Sequence, residues 1–265
     1  MELPFSRWYP TIDIRRSRRQ FDASRPIYPD LLSDLRTICK EFRPFPHARA
    51  ELVTESSDGV FKGVVGSYGK IKDEPAFIAF IGDMGSRHVQ EEVGYIGEGI
   101  ILEATALQLA TCWVGGFFKP EVVESLIEIS AGERVLSVTP VGYAREALTL
   151  EEKLMTGFGR THRRKSISAV VTGLEMANWS EWIKVSVEAA RLAPSAVNRQ
   201  PWGFHVEPDA ITVFVRTTGP EFNVAKRLDC GIAMLHIEVA ALNCGIQGKW
   251  EFLETPSVAR FSACG

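Results

Sequence analysis

The sequence predicts a mixed fold of helices and short strands, given twice along one chain. Two observations carry that prediction. Helix-spaced and strand-like apolar patterns alternate in the order helix, strand, long apolar helix. The same order then returns in the second half of the chain.

The first element is marked by Leu31, Leu32, Leu35, Ile38 and Phe42, whose spacing predicts an amphipathic helix over Asp30 to Phe42, ended by Pro44 and Pro46. Pro75 precedes an apolar run, Ala76 to Ile81, that reads as a buried strand. A long helix is expected from Val93 to Ala110, before Gly115 and Gly116. Ser137 to Tyr143 reads as another strand running into a turn. The stretch Glu146 to Thr172 is polar and basic and suits a connecting arm. Beyond it, Trp179 to Leu192 reads as a helix stopped by Pro194, and Ile211 to Val215 as a strand. Leu228 to Gly245 reads as a second apolar helix, with Gly245 and Gly248 marking its end. Glu103-Ala-Thr-Ala-Leu107 can be laid over Glu238-Val-Ala-Ala-Leu242, a match of few identities.

Composition narrows the function classes. The 265 residues are 45% hydrophobic and 24% charged, enough apolar content for a sizeable core. A net charge of −3 argues against a nucleic-acid binder. The basic residues nevertheless bunch at Arg15 to Arg19 and at Arg160 to Lys165, the pattern of local anion sites. The five cysteines form no C-x-x-C pair, so neither a zinc site nor a redox dithiol is signalled. The most apolar stretch, Gly94 to Phe118, is interrupted by Glu98 and Glu103, which suits a buried helix better than a membrane span. With no hydrophobic signal core ahead of Arg15, these features predict a soluble cytoplasmic protein.

Five constellations are candidates for chemistry. Arg15-Arg16-Ser17-Arg18-Arg19-Gln20-Phe21 sets several guanidiniums and a hydroxyl close enough to surround a phosphate, although basic runs are more often solvated faces. Pro194-Ser-Ala-Val-Asn-Arg-Gln-Pro-Trp202 clusters short polar side chains in a loop, and also suits a plain helix-to-strand turn. Thr111 to Phe117 holds paired glycines that would let a ligand ring approach the backbone, or simply cap a helix. Lys70 stands just ahead of a strand, where a lysine usually faces solvent. His162-Arg163-Arg164-Lys165 suits a second half of an anion clamp or a basic linker. There is no G-x-G-x-x-G turn and no G-x-S-x-G elbow. The histidines do not pair with cysteine or carboxylate at metal-ligand spacing, and Glu98 and Glu103 fall on different helix faces.

Together these segments resemble the nitroreductase family of FMN enzymes. R-R-S-x-R-x-F appears as Arg15, Arg16, Ser17, Arg19 and Phe21, and P-S-x-x-N-x-Q-P-W runs in full from Pro194 to Trp202. Ala110 to Phe117 is similar to the family's segment beside the flavin ring, and Pro140 to Tyr143 to its following strand. In ordinary members both specific motifs lie near the N-terminus, and each FMN sits at a homodimer interface. Here the first half keeps R-R-S and has Phe42 to Pro46 where P-S-x-x-N would be, while the second half keeps P-S-x-x-N.

The resemblance therefore implies a fused pseudo-dimer of the subfamily with two nitroreductase-like halves. It implies an α+β fold with a central, mostly antiparallel sheet flanked by helices. The expected division is 1–150 for the first half, 151–172 for the connecting arm and 173–265 for the shorter second half. One FMN would lie between the halves, the second site being lost. Arg15, Arg16, Ser17 and Arg19 would hold its phosphate and ribityl end, completed by Arg164 and Arg163. Lys70 would sit at the pyrimidine edge, Ser195 and Asn198 would reach the flavin from the second half, and Gly115 and Gly116 would lie near N5. NADH or NADPH would pass a hydride to flavin N5, and a small acceptor such as a nitroaromatic or quinone would then be reduced. No side chain is expected to act as a nucleophile. With its dimer interface internal, the chain could work as a monomer, without nucleic-acid or membrane partners. Two alternatives stay open: another flavin reaction, such as dehalogenation or dehydrogenation, and a non-catalytic FMN-binding protein.

Overall fold

The computed structural model describes residues 2–54, 59–61, 71–145, 163–217, 219, 221 and 223–264. Lys70 and residues 146–162 of the expected arm lie outside them. The chain begins with helices α1 (Phe5–Ile14) and α2 (Pro29–Glu41), then strands β1 (Ala48–Val53) and β2 (Ala76–Asp83). Helix α3 (Val89–Ala106) follows, then β3 (Ala110–Thr111), the short α4 (Pro120–Glu124) and β4 (Glu133–Gly142). The second half carries β5 (Val171–Gly173), α5 (Glu181–Arg191), β6 (Trp202–Val206), β7 (Ala210–Val215), α6 (Lys226–Asn243), β8 (Gly248–Phe252) and β9 (Ser257–Ala263).

The fold is α+β and mostly antiparallel, with its strands divided between two sheets rather than gathered in one central sheet. One has the order β1-β2-β4-β3 and the other β5-β6-β7-β9-β8. With β5 set aside, the second sheet repeats the first strand for strand: β6 stands where β1 does, β7 for β2, β9 for β4 and β8 for β3. β5 is the addition, an edge strand paired in parallel with β6. β8 and β9 place the chain after Trp250 within this sheet as a hairpin.

The unbroken apolar run of β2 reflects burial of both its faces. Ile78 and Phe80 enter the main core, and Phe77, Ala79 and Ile81 face a smaller cluster completed by Val60, Val123 and Val138. At the outer end of this sheet, Arg49 holds Glu133 through two hydrogen bonds of 2.7 and 2.8 Å. Arg49 keeps the Glu133 carboxyl down at about 2. A depressed carboxylate stabilises the fold above its ordinary pKa, and that contribution is lost as pH falls from about 4.5 through about 2. Glu133→Gln is expected to be less stable than the wild type at pH 7, with the gap closing across that acid range in denaturant titrations.

The main core joins the two halves. α3 and α6 pack against each other, buried nearly all round. Their closest approach is reciprocal. A Cβ on Gly94 would lie 2.0 Å from Leu228 O, and one on Gly231 would lie 2.1 Å from Glu91 O. Backbone, not a side-chain tip, blocks both positions. Alanine in a helix interior is ordinarily better than glycine by about 1 kcal/mol. Here Gly94→Ala is instead expected to destabilise by roughly 1–3 kcal/mol, because the helices must move apart to admit the methyl group. Chemical denaturation of the variant measures the sign directly.

α3 runs from Val89 to Ala106, four residues earlier than expected at each end. Gly115 and Gly116 are therefore not its cap. Val114 instead bridges Val138 of β4, and Gly115 and Gly116 begin the bend that follows.

Candidate functional site

The R-R-S segment leaves α1 as an extended chain. Ser17 forms a parallel bridge to Thr111, and Arg18 N donates to Thr111 O at 2.8 Å. Lys72 N donates to Arg19 O at 3.0 Å, and Phe21 N to Lys72 O at 3.1 Å. This pairing fixes the register of the arginines against the first sheet. Arg16 is exposed, and its Nη1 donates to Asp13 O at 2.6 Å and Arg15 O at 2.8 Å, closing the end of α1. Arg15 is buried, and its Nη1 has no hydrogen-bond partner.

Arg164 meets this segment from the chain that enters the second half. Its Nη2 donates to Leu192 O at 2.9 Å and its Nη1 to Asn198 Oδ1 at 2.5 Å, while its Nε is buried without a partner. Burial, then the positive charges of Arg15, Arg191 and Arg16, pull the Arg164 guanidinium down to about 10. Arg15, Arg191 and Arg16 thus lie near enough to Arg164 to repel its charge. Arg191 is itself paired with Glu188. Like charges set close together, with buried donor atoms left over on Arg15 and Arg164, are disposed to take an anion.

The Pro194–Trp202 loop is bent and held. Val197, Asn198 and Gln200 adopt φ of 50°, 53° and 48°, the left-handed region. For a β-branched residue such as Val197 this is strained, and it persists only where surroundings enforce it. Ser195 Oγ accepts from Gln200 N at 2.9 Å. Gln200 Nε2 donates to Arg163 O at 3.0 Å. Asp229 of α6 accepts from Ala196 N at 3.1 Å and from Arg199 Nε at 2.7 Å, in a pair almost wholly buried. Arg199 also reaches Val224 O at 2.8 Å, and Val224 covers Gly115, where a Cβ would sit 2.7 Å from it. Gly115 thereby touches the second half, through a side chain the sequence reading did not single out.

Among the expected site residues, the structure brings Arg15, Arg16, Arg164 and Asn198 together. Ser17 and Arg19 lie on the same extended segment. Arg163 departs from expectation: its side chain is exposed, and its carbonyl serves by accepting from Asn198 Nδ2 and Gln200 Nε2. Asn198 is already engaged with Arg164 and Arg163, and Ser195 with Gln200. Arg191, Gln200, Arg199, Asp229 and Glu98 were missed as site residues. Only Gln200 and Arg199 carried a signal, lying inside the quoted motif. Among the described residues no group of histidine, cysteine and carboxylate could hold a metal ion. Nor is any helix there long and apolar enough to cross a membrane.

An α+β fold of two like sheets, with a cluster of arginines where the halves meet, defines the class. The family described as Putative TM nitroreductase matches residues 7–241, and the chain belongs to this nitroreductase family. It is similar in structure to a putative nitroreductase from Thermotoga maritima. That likeness has a TM-score of 0.66 at 19% identity and covers 96% of this chain and 93% of the other. A nitroreductase family protein from Clostridium difficile aligns over 64% of this chain and 98% of its own, at 18% identity and a TM-score of 0.46. None of the curated proteins matches the chain.

Proposed function

We propose that the chain binds one FMN between its halves and works as an NAD(P)H-dependent oxidoreductase. The observation that carries this reading is the convergence of Arg15, Arg16 and Arg164, two of them with buried N–H groups awaiting an acceptor. A phosphate ester suits that donor set in charge and in hydrogen-bonding capacity. Membership of the nitroreductase family supports the choice of FMN as its bearer.

Arg15 from the first half and Arg164 from the connecting arm would grip the phosphate, with Arg16, Ser17 and Arg19 along the Arg15 segment. Arg163 contributes its carbonyl, by tethering Asn198 and Gln200. Ser195 and Asn198 shape the loop facing the flavin, and Gly115 and Gly116 would lie near its N5, with Val224 packed over Gly115. Lys70 is retained as the cation for the pyrimidine edge. When bound, FMN supplies a hydride-accepting N5 through which NADH or NADPH reduces a small acceptor such as a nitroaromatic or quinone. The division into 1–150, 151–172 and 173–265 goes with this reading, supported by the shared strand order of the two sheets. A single chain would then be the working unit. Five unpaired cysteines favour the cytoplasm as its compartment.

The test is the visible spectrum of protein reconstituted with excess FMN and desalted. Retained oxidised-flavin bands near one FMN per chain, bleached by NADH or NADPH, are expected. Retained bands that neither donor bleaches would favour a non-catalytic flavoprotein, and no retained flavin would overturn the reading.

A further inference from the structure

Two fully buried side chains between the long helices have no role in the reading above: Glu98 of α3 and His236 of α6. His236 Nδ1 lies 2.8 Å from Ala189 O, so it carries a hydrogen. Its Nε2 lies 3.0 Å from Glu98 Oε1, a contact that requires one proton between the two atoms. On whichever atom that proton rests, the pair has no net charge. Glu98 Oε2 accepts from Trp113 Nε1 at 2.7 Å. Each carboxyl oxygen thus has a hydrogen-bond partner closer than Arg15. Arg15 Nε is left 3.7 Å from Oε1, beyond hydrogen-bond reach, and Arg15 Nη1 has no partner.

The usual fate of a buried arginine beside a buried glutamate is a close, bidentate ion pair. Here Arg15 and Glu98 make only a long ion pair, at 3.7 Å, while His236 and Trp113 each hold one carboxyl oxygen at 3.0 and 2.7 Å. We propose that His236 is a positioning residue that sets the site's preference for a phosphate ester. It neutralises Glu98 and holds it off Arg15, so that the charge and free N–H of Arg15 remain available to an anion. The inference rests on the reading that FMN places its phosphate at the Arg15–Arg164 cluster, and it adds a determinant from the second half that touches no ligand.

The test compares FMN with riboflavin, which has the same ring and no phosphate. In His236→Leu, Glu98 Oε1 is freed to close on Arg15. FMN affinity is expected to fall about tenfold, the worth of one charge-assisted hydrogen bond, with riboflavin affinity unchanged within about twofold. Adding Glu98→Gln to that variant removes the competitor and should restore most of the FMN affinity. A merely structural histidine would weaken both ligands in parallel and show no rescue, and either result overturns the proposal. Should His236→Leu fail to fold, His236→Gln keeps an N–H toward Glu98 without the shared proton. A selective FMN loss of about threefold is then expected, and no selective loss overturns the proposal. Wild-type protein that takes up no FMN would overturn the flavin reading. Inorganic phosphate then decides this inference: it should raise the melting temperature of the wild type more than that of the variant, and equal shifts overturn it.

Discussion

Replacing Arg15 and Arg164 together with alanine should weaken FMN binding by about 100-fold or more, while the flavin-free protein loses little stability. Each arginine would give the phosphate at least one charge-assisted hydrogen bond, worth about 1.5–3 kcal/mol when the partner is charged. Two such losses multiply to roughly 10²- to 10⁴-fold if they are independent. The unusual part is the second clause. Truncating buried charged groups ordinarily costs stability. Here the Arg164 guanidinium is held down to about 10 by burial and by Arg15, Arg191 and Arg16, so the flavin-free protein bears the repulsion. Removing two of the four cations relieves it, offsetting the lost hydrogen bonds to Leu192 O and Asn198. Glu98, deprived of Arg15, still has Trp113 and His236. Titration of FMN into wild type and variant, beside their thermal unfolding, measures both halves of the claim. A variant that melts far below the wild type would show these arginines to be structural. One that keeps its FMN affinity would place the phosphate elsewhere.

The same cluster shows how far the sequence could be read. The arginines were legible because two short basic runs in a slightly acidic chain are unusual, and because R-R-S and P-S-x-x-N are specific in combination. Their complementary placement in the two halves was legible too; the hydrogen bond from Arg164 of the connecting arm to Asn198, 34 residues on, was not. What escaped was everything that depends on helix packing. Glu98 and Glu103 read as polar interruptions of an apolar helix, too far round it from each other to work as an acid/base pair. In the fold, each is buried and accepts from a tryptophan, Trp113 and Trp8 respectively. Glu98 meets His236 only because the crossing near Gly94 and Gly231 brings the two backbones into contact, 138 residues apart in the chain. Spacing along a sequence reports a pair on one helix, never a pair between two. The short strands β3 and β5 were invisible for a different reason: two or three residues leave no periodicity to detect. β1 and β6 flank the motif positions and were obscured by the prolines around them.

Asp229→Ala should be the most damaging single change at the site, costing about 3–5 kcal/mol of folding stability and with it the flavin site. Burial pushes the Asp229 carboxyl up to about 6 even against the pull of Arg199, so at neutral pH it remains ionised but at a cost. That cost is offset only while Arg199 is its partner, at 2.7 Å. Truncation orphans a guanidinium whose side chain is 8% exposed, leaving it only carbonyl acceptors. It also releases Ala196 N, the tether at the start of the strained Val197–Gln200 turn. A left-handed valine costs about 1–3 kcal/mol and relaxes once its restraint is gone. Relaxation moves Asn198, which positions Arg164, so the damage reaches the anion cluster through two hydrogen bonds. The orphaned charge, rather than lost packing, is the dominant cost. Changing both partners to apolar residues, Asp229→Leu with Arg199→Met, should therefore recover much of the stability while leaving FMN affinity low, because the turn remains untethered. Denaturant unfolding of the single and paired variants separates the two effects. Equal stability losses in both would show that Asp229 acts through the turn alone and not through the buried charge.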